Sequence, residues 1–400
     1  MKARRLLLMV IILACTGNRV LASPWSTDPT IGVIGQYSSD PVLLRGSGHS
    51  ESNAALTLLL PVDYDEDAFH FAVTPNIRYG NASGYSSLTS NFFHLDSSAQ
   101  LASELGTTTL SGALYRDSSL LYAGESVNGI GERRDTSSLD LRWDRELTER
   151  LEGQADISTV RTLYGLSDNL VNPLIDYRYS QFSPGAVYLL TERDTLHAIG
   201  QVSRYRSLND VSESDSYSLQ AGYDRRLSEI WTLKTTAGYA RASDRQNGYF
   251  IEYLSAFSYR FVYGHIDTTQ NSTVYSANLS RQTERLNLTL GASRALAPTG
   301  YFYLSRQQSV TGLATYTPSE RWSFTGTVNW QTNSNPLTTG GTLQARYYGL
   351  ALSTTWHWTE QWLVTLQATK VSQHYIEPYG TVSSNSVTVQ IARQFLRMDL

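Results

Sequence analysis

The sequence has little of what marks most other classes of protein. Its 400 residues include 1 cysteine, Cys15. No disulfide can brace the chain, so strand pairing and packing must hold it. No apolar run is long enough to cross a bilayer as a helix, and a mean hydropathy of -0.29 is too polar for a helical membrane protein. Charged residues are only 17% of the chain and the net charge is -4, which gives no argument for a nucleic-acid partner. The His…Trp-Asp signature of propeller blades is also missing.

Aromatic residues and strict alternation are present instead, with 26 Tyr and 8 Trp. In residues 217–239, Tyr217, Leu219, Ala221 and Tyr223 alternate with Ser218, Gln220, Gly222 and Asp224. Beyond Ser228-Glu229, Trp231, Leu233, Ala237 and Tyr239 alternate with Thr232, Lys234, Thr236 and Gly238. A period of two gives each strand one apolar and one polar face, so the stretch reads as a β-hairpin. Its Ser-Glu pair suits a tight turn.

The same turn recurs at Glu104, Glu149, Glu192, Glu284, Glu320 and Glu360, each preceded by Ser or Thr, with Asp65-Glu66 as a looser first member. From Glu66 onward the spacings are 38, 45, 43, 37, 55, 36 and 40 residues. That is the period of a two-strand repeat, with room for strands of about 11 residues and one longer loop. The pattern predicts strands near 31–38, 53–60, 68–79, 91–103, 106–116, 134–146, 151–164, 176–190, 195–207, 214–226, 231–243, 271–282, 286–296, 301–317, 322–332, 345–358, 362–373 and 385–396. The predicted fold is therefore all-β: a transmembrane antiparallel up-and-down β-barrel of about 18 strands, with 16 or 20 as alternatives. The long spacing after Glu229 contains an aromatic stretch at 249–265, which reads either as a hairpin above the membrane or as two further membrane strands. Both termini fall on the short-turn side, which in such barrels is periplasmic. Polar stretches at 117–133, 165–175 and 333–342 read as loops of the other side.

Residues 1–22 read as a secretory signal: Lys2, Arg4 and Arg5, then an apolar core, then Val20-Leu21-Ala22 before a cut at Ser23. Cys15 after Ile12-Leu13-Ala14 leaves lipidation as the alternative to that cut. Residues 23–30 read as a periplasmic leader, and 31–400 as the barrel in the cell outer membrane.

Parity then assigns the two faces. Leu139, Leu141 and Trp143 are expected to meet lipid, as are Leu286, Leu288 and Leu290. Arg78, Asp96, Asp140, Arg142, Asp144, Glu152, Asp156, Asp224 and Lys234 are expected to line the lumen, either pairing across strands or setting polarity along a passage. Trp231, Trp322, Trp356, Trp358 and Trp362 lie close to turn glutamates and share lipid parity, as a periplasmic aromatic girdle does. A soluble sandwich explains neither their height nor the single sheet pattern. Pro75 and Pro184 fall inside expected strands, where bulges or strand ends are expected.

No catalytic constellation emerges, so the chain reads as a non-enzyme without cofactor or metal. His70 and His94 share inward parity but lie at different heights. His197 and His357 also have inward parity, against a Ser/His/Asp hydrolase on the outer wall.

The repeated Leu147-Thr148-Glu149-Arg150-Leu151 pattern, the segment Leu290-Gly291-Ala292-Ser293-Arg294-Ala295-Leu296-Ala297-Pro298-Thr299-Gly300, and the closing Val387-Thr388-Val389-Gln390-Ile391-Ala392-Arg393-Gln394-Phe395 together resemble one group of proteins. They are similar to uncharacterised porin-like outer-membrane β-barrels of proteobacteria, some encoded beside exopolysaccharide gene clusters. The resemblance implies outer-membrane lipids and the barrel assembly machinery as partners, with exopolysaccharide or its export proteins as candidates. Such barrels end on an aromatic residue, whereas here residues 396–400 follow Phe395. Two functions follow as expectations: a passive conduit, since barrels of 16 to 18 strands leave an aqueous lumen, or a closed structural partner of an exopolysaccharide system.

Overall fold

The computed structural model describes residues 24–40, 50–81, 91–118, 133–165, 174–255, 258–300, 304–334, 344–374 and 380–399. The secretory segment, Cys15 and most of the three loop stretches lie outside them. In the described residues the strands are β1 (Trp25–Thr27), β2 (Thr30–Ser38), β3 (Glu51–Leu59), β4 (Val62–Glu66), β5 (Phe69–Asn81), β6 (Phe92–Ser103), β7 (Gly106–Ser118), β8 (Arg133–Thr148), β9 (Leu151–Tyr164), β10 (Tyr177–Leu189), β11 (Asp194–Ser207), β12 (Ser212–Arg226), β13 (Trp231–Ser255), β14 (Ser258–Gln282), β15 (Leu286–Pro298), β16 (Leu304–Ser319), β17 (Trp322–Ser334), β18 (Gln344–His357), β19 (Trp362–His374), β20 (Thr381–Gln394) and β21 (Met398–Asp399).

Each strand pairs antiparallel with its neighbours, and β20 returns to β2, so the sheet is a closed barrel of 18 strands. The short pieces do not raise that number. Thr27 faces Val62 and Thr30 faces Leu59, so β1 and β2 run against β3 and β4 in one uninterrupted register. The breaks fall at Asp28-Pro29 and Leu60-Pro61, where proline has no N–H to give the ladder. β21 pairs with β1, so the tail after Phe395 continues the closing seam. The stretch read as a leader thus contains a strand at Trp25–Thr27.

Each of the 18 expected spans overlaps a strand. The long spacing resolves as the first of its two alternatives: β13 and β14 pair over 25 residues each and stand above their neighbours, adding length rather than strands. The prolines depart from expectation, because neither ends its strand. Pro184 stays paired with Ala155, and the ladder to β11 skips from Phe182–Val202 to Gly185–Ile199. Opposite Pro75 the interruption lies in the neighbouring strand, where Leu60 N–H donates to the Pro75 carbonyl at 3.0 Å.

The repeated turn has a local cause. The hydroxyls of Thr148, Thr191, Ser228, Thr283 and Thr359 accept the backbone N–H three residues on, at 3.1, 3.1, 3.2, 3.0 and 3.0 Å. This caps the first N–H of the returning strand. Glu104, Glu149, Glu192, Glu229, Glu284, Glu320 and Glu360 are all exposed at the turns. The hydroxyl closes the turn and the carboxylate keeps it in water.

Outside, the wall is apolar. Leu110, Leu141 and Ile157 form one cross-strand row and all stand exposed, as do Leu139, Trp143 and Leu290. Exposed apolar surface that encircles a closed barrel marks contact with lipid. Trp322 and Trp356 stack at 5.8 Å, Trp356 and Trp358 at 6.3 Å, and Arg281 and Arg393 lie over Trp231 and Trp362 at 5.7 and 5.9 Å. Toward the loop end Tyr37, Tyr79, Tyr217, Tyr239, Tyr275 and Tyr348 form a second exposed belt. An apolar band between two aromatic belts is the exterior of an outer-membrane barrel, and the cell outer membrane is where this chain resides.

Orientation can be read by labelling. Glu229→Cys and Glu320→Cys are expected to resist a membrane-impermeant thiol reagent in intact cells, whereas Asn209→Cys, in the exposed turn between β11 and β12, is expected to react. Ser214, near the same end, is buried and donates to Asp244, so it cannot report. Reaction at Glu229→Cys with protection at Asn209→Cys reverses the orientation.

Candidate functional site in the lumen

Cross-strand register fixes which side chains share the inner face. Arg142 stands opposite Asp156 and Thr109, Asp140 opposite Ser111 and Ser158, and Asp144 opposite Gln154. Arg142 Nε donates to Asp144 Oδ2 at 2.8 Å. Glu152 lies opposite Val187, on the same face as Gln154, whose Nε2 donates to it at 2.9 Å. Asp96 accepts the Tyr115 hydroxyl, and Asp224 faces Lys234 with His197 Nε2 3.0 Å from Oδ2. Arg78 donates to Gln36 and Asn53 at 2.9 and 3.4 Å. These nine charged groups all lie on the face opposite the exposed leucines. Most gather on β6–β9, and six carboxylates stand against three cations.

Among the described residues, no three His, Cys, Asp or Glu side chains come together as a metal site would require. His94 faces Asn76 and lies 3.4 Å from Asp117, while His70 faces Gln100 and lies 2.5 Å from Asp65. Six residues of strand separate the two imidazoles.

Burial divides the lumen. In the short-turn half, inward side chains such as Asp140, Asp144 and Asp224 are half-buried, and Arg142 and Lys234 are exposed. At the loop end, inward Tyr177, Tyr179, Tyr205, Ala242, Asp244 and Gln270 are buried. Their cover includes the wall's own hairpin end. β14 and β15 pair only as far as Tyr275 and Arg294, whereas β15 continues against β16 to Pro298. Freed from β14, this tip lies across the inside of the barrel. The Tyr205 hydroxyl donates to the Thr299 carbonyl at 3.1 Å, Ile175 N–H to the Gly300 carbonyl at 2.8 Å, and Gln270 Nε2 to the Leu304 carbonyl at 3.2 Å. Leu304 and Leu296 pack on Tyr164, Tyr177, Tyr179 and Tyr205. Five strands lie between β9 and β15, so six strand-to-strand steps separate them along the wall. At about 4.8 Å per strand the wall path is far longer than any side chain, so the tip must cross the lumen.

Glycine fits that crossing closely, and a larger residue must displace neighbouring side chains. A Cβ on Gly300 would sit 2.9 Å from both Leu174 Cδ2 and the Tyr164 hydroxyl. The tip is the Pro-containing segment that carries the family resemblance. Its inward position and its tyrosine shelf were not anticipated. The available signal was parity: Tyr164, Tyr177, Tyr179 and Tyr205 fall at lumen positions, where a wall facing only water has no need of four aromatic rings.

No protein-family model matches the chain, and no curated protein matches it. Solved structures align with most of the chain at low identity and low structural similarity. The ferric citrate transporter FecA in its unliganded form is 10% identical, with a TM-score of 0.48 over 94% of this chain and 79% of that one. OpdK of Pseudomonas aeruginosa, solved with vanillate, is 12% identical with a TM-score of 0.46 over 94% and 99%. OccK2 (OpdF) of Pseudomonas aeruginosa is 12% identical with a TM-score of 0.45 over 93% and 98%.

Proposed function

We propose that the chain is a passive outer-membrane channel for small hydrophilic solutes, with a preference for cations, and that it is not an enzyme. The observation that carries this reading is the acidic inner face of β6–β9, open to water in the short-turn half and leading to a constriction at the loop end. Charges along a narrow aqueous path bias which ion enters. The expected result in a planar bilayer is stepwise conductance with cation selectivity. Asp140→Lys together with Asp144→Lys should move the reversal potential toward anions, while the barrel still assembles. Conductance without a selectivity change would take these residues out of the path.

A second reading is favoured by the buried loop end: a closed barrel that serves as a structural partner of an exopolysaccharide system. Its support is the resemblance of the 290–300 and 387–395 segments to porin-like proteins encoded beside such gene clusters. Absence of conductance from a correctly folded protein, with loss of polysaccharide secretion on deletion, favours this reading over the first.

A further inference from the structure

The outer face carries a row of like charges that neighbouring side chains leave largely unneutralised. On that face Arg161 of β9 stands directly opposite Arg178 of β10, and Arg178 directly opposite Arg206 of β11. Directly opposed residues have Cβ atoms about 4.5–5.5 Å apart, where like charges repel. Three guanidinium groups in one row therefore need anions.

The protein supplies them elsewhere in the same row but hardly here. Beyond Arg206 the signs alternate through Glu213, Arg245 and Asp267, and Arg245 donates to Asp267 at 2.8 Å. Arg161 and Arg178 are exposed, and among the described residues neither forms an ion pair or side-chain hydrogen bond. Arg206 has two carboxylates nearby: Glu213, directly opposite, is bonded to Arg204 instead, and Asp210 lies with Oδ1 3.3 Å from Nε, both of that pair's side chains mostly exposed.

Height indicates what the row meets. Ten residues separate Arg178 from Tyr188, which stands exposed near the short-turn end. At about 3.3 Å per residue and a tilt near 40°, that is about 25 Å, the height of the apolar band of such barrels. The row thus sits at the headgroup level of the leaflet around the loop end. Four residues below it on each strand, Ile157, Phe182 and Val202 are exposed to lipid tails. A ligand here meets cations at one end and apolar wall at the other.

Residue choice narrows the anion. All three cations of the row are arginine. A guanidinium offers parallel N–H donors that match phosphate oxygens. We propose that Arg161, Arg178 and Arg206 bind the phosphate group of a phosphorylated lipid in the leaflet surrounding the loop end.

The test titrates detergent-solubilised protein, first shown to be folded by its unheated gel mobility, with diphosphoryl lipid A, dephosphorylated lipid A and inorganic phosphate. Bound ligand is counted by native mass spectrometry. Diphosphoryl lipid A should bind the wild type about a hundredfold more tightly than the Arg161→Gln/Arg178→Gln/Arg206→Gln variant, as three interfacial cations imply. Arg116→Gln/Arg133→Gln/Arg204→Gln removes as many charges from ion-paired positions of the same face and should retain binding. Equal weakening by both variants reduces the effect to net charge and overturns the site. So does indifference of the wild type to lipid phosphorylation, or inorganic phosphate binding as tightly as the lipid.

Discussion

Leu141→Arg is expected to abolish most assembly, while Arg142→Leu, one residue along, leaves it nearly intact. Leu141 lies in the middle of β8 with Leu110 and Ile157 on either side, all three facing out. An arginine there is about 2–4 kcal/mol unfavourable at mid-membrane. That is a large part of the stability that proteins commonly possess, about 5–15 kcal/mol. Arg142 faces water, and its pairing with Asp144 is exposed enough that losing it costs roughly 0–1 kcal/mol. The carboxylates left behind remain hydrated. The yield of heat-modifiable protein in outer membranes measures both changes, and equal tolerance of the two would mean that the faces are exchanged.

The wall was legible because each of its signals is local. Alternation such as Leu139-Asp140-Leu141-Arg142 fixes the face, and the threonine or serine before the glutamate fixes most of the turns, because its hydroxyl reaches an N–H only three residues away. Tryptophans near those turns could be placed for the same reason. The interior was not legible to the same degree. Thr299 meets Tyr205 across 94 residues of sequence, and no period connects them. Nor does parity show that β15 separates from β14 after Arg294, since the alternation continues through Leu296. The arginine row is intermediate. Arg161, Arg178 and Arg206 each have outward parity in the sequence, but their adjacency depends on two registers that only pairing defines.

Releasing the tip should change conduction without changing the wall. The bonds that hold it include those from Tyr205, Ile175 and Gln270, at about 1 kcal/mol each. The barrel itself rests on continuous ladders around its whole circumference. Tyr205→Phe removes the hydroxyl that donates to the Thr299 carbonyl, which costs about 1 kcal/mol. Gly300→Val adds a side chain where a Cβ already meets Leu174 and Tyr164 at 2.9 Å. Both changes act on the contacts of the tip, while neither removes a backbone bond of the 18 strands: Phe at 205 keeps the ladder pairs with Tyr179 and Ser214, and Gly300 lies beyond β15. The double variant should keep the unheated gel mobility and thermal stability of the wild type, and its single-channel conductance should rise several-fold. If the wild-type lumen is shut, the variant should conduct where the parent does not. A folded double variant with unchanged conductance would show that the crossing tip does not limit the passage and that the tyrosine shelf serves only to pack the loop end.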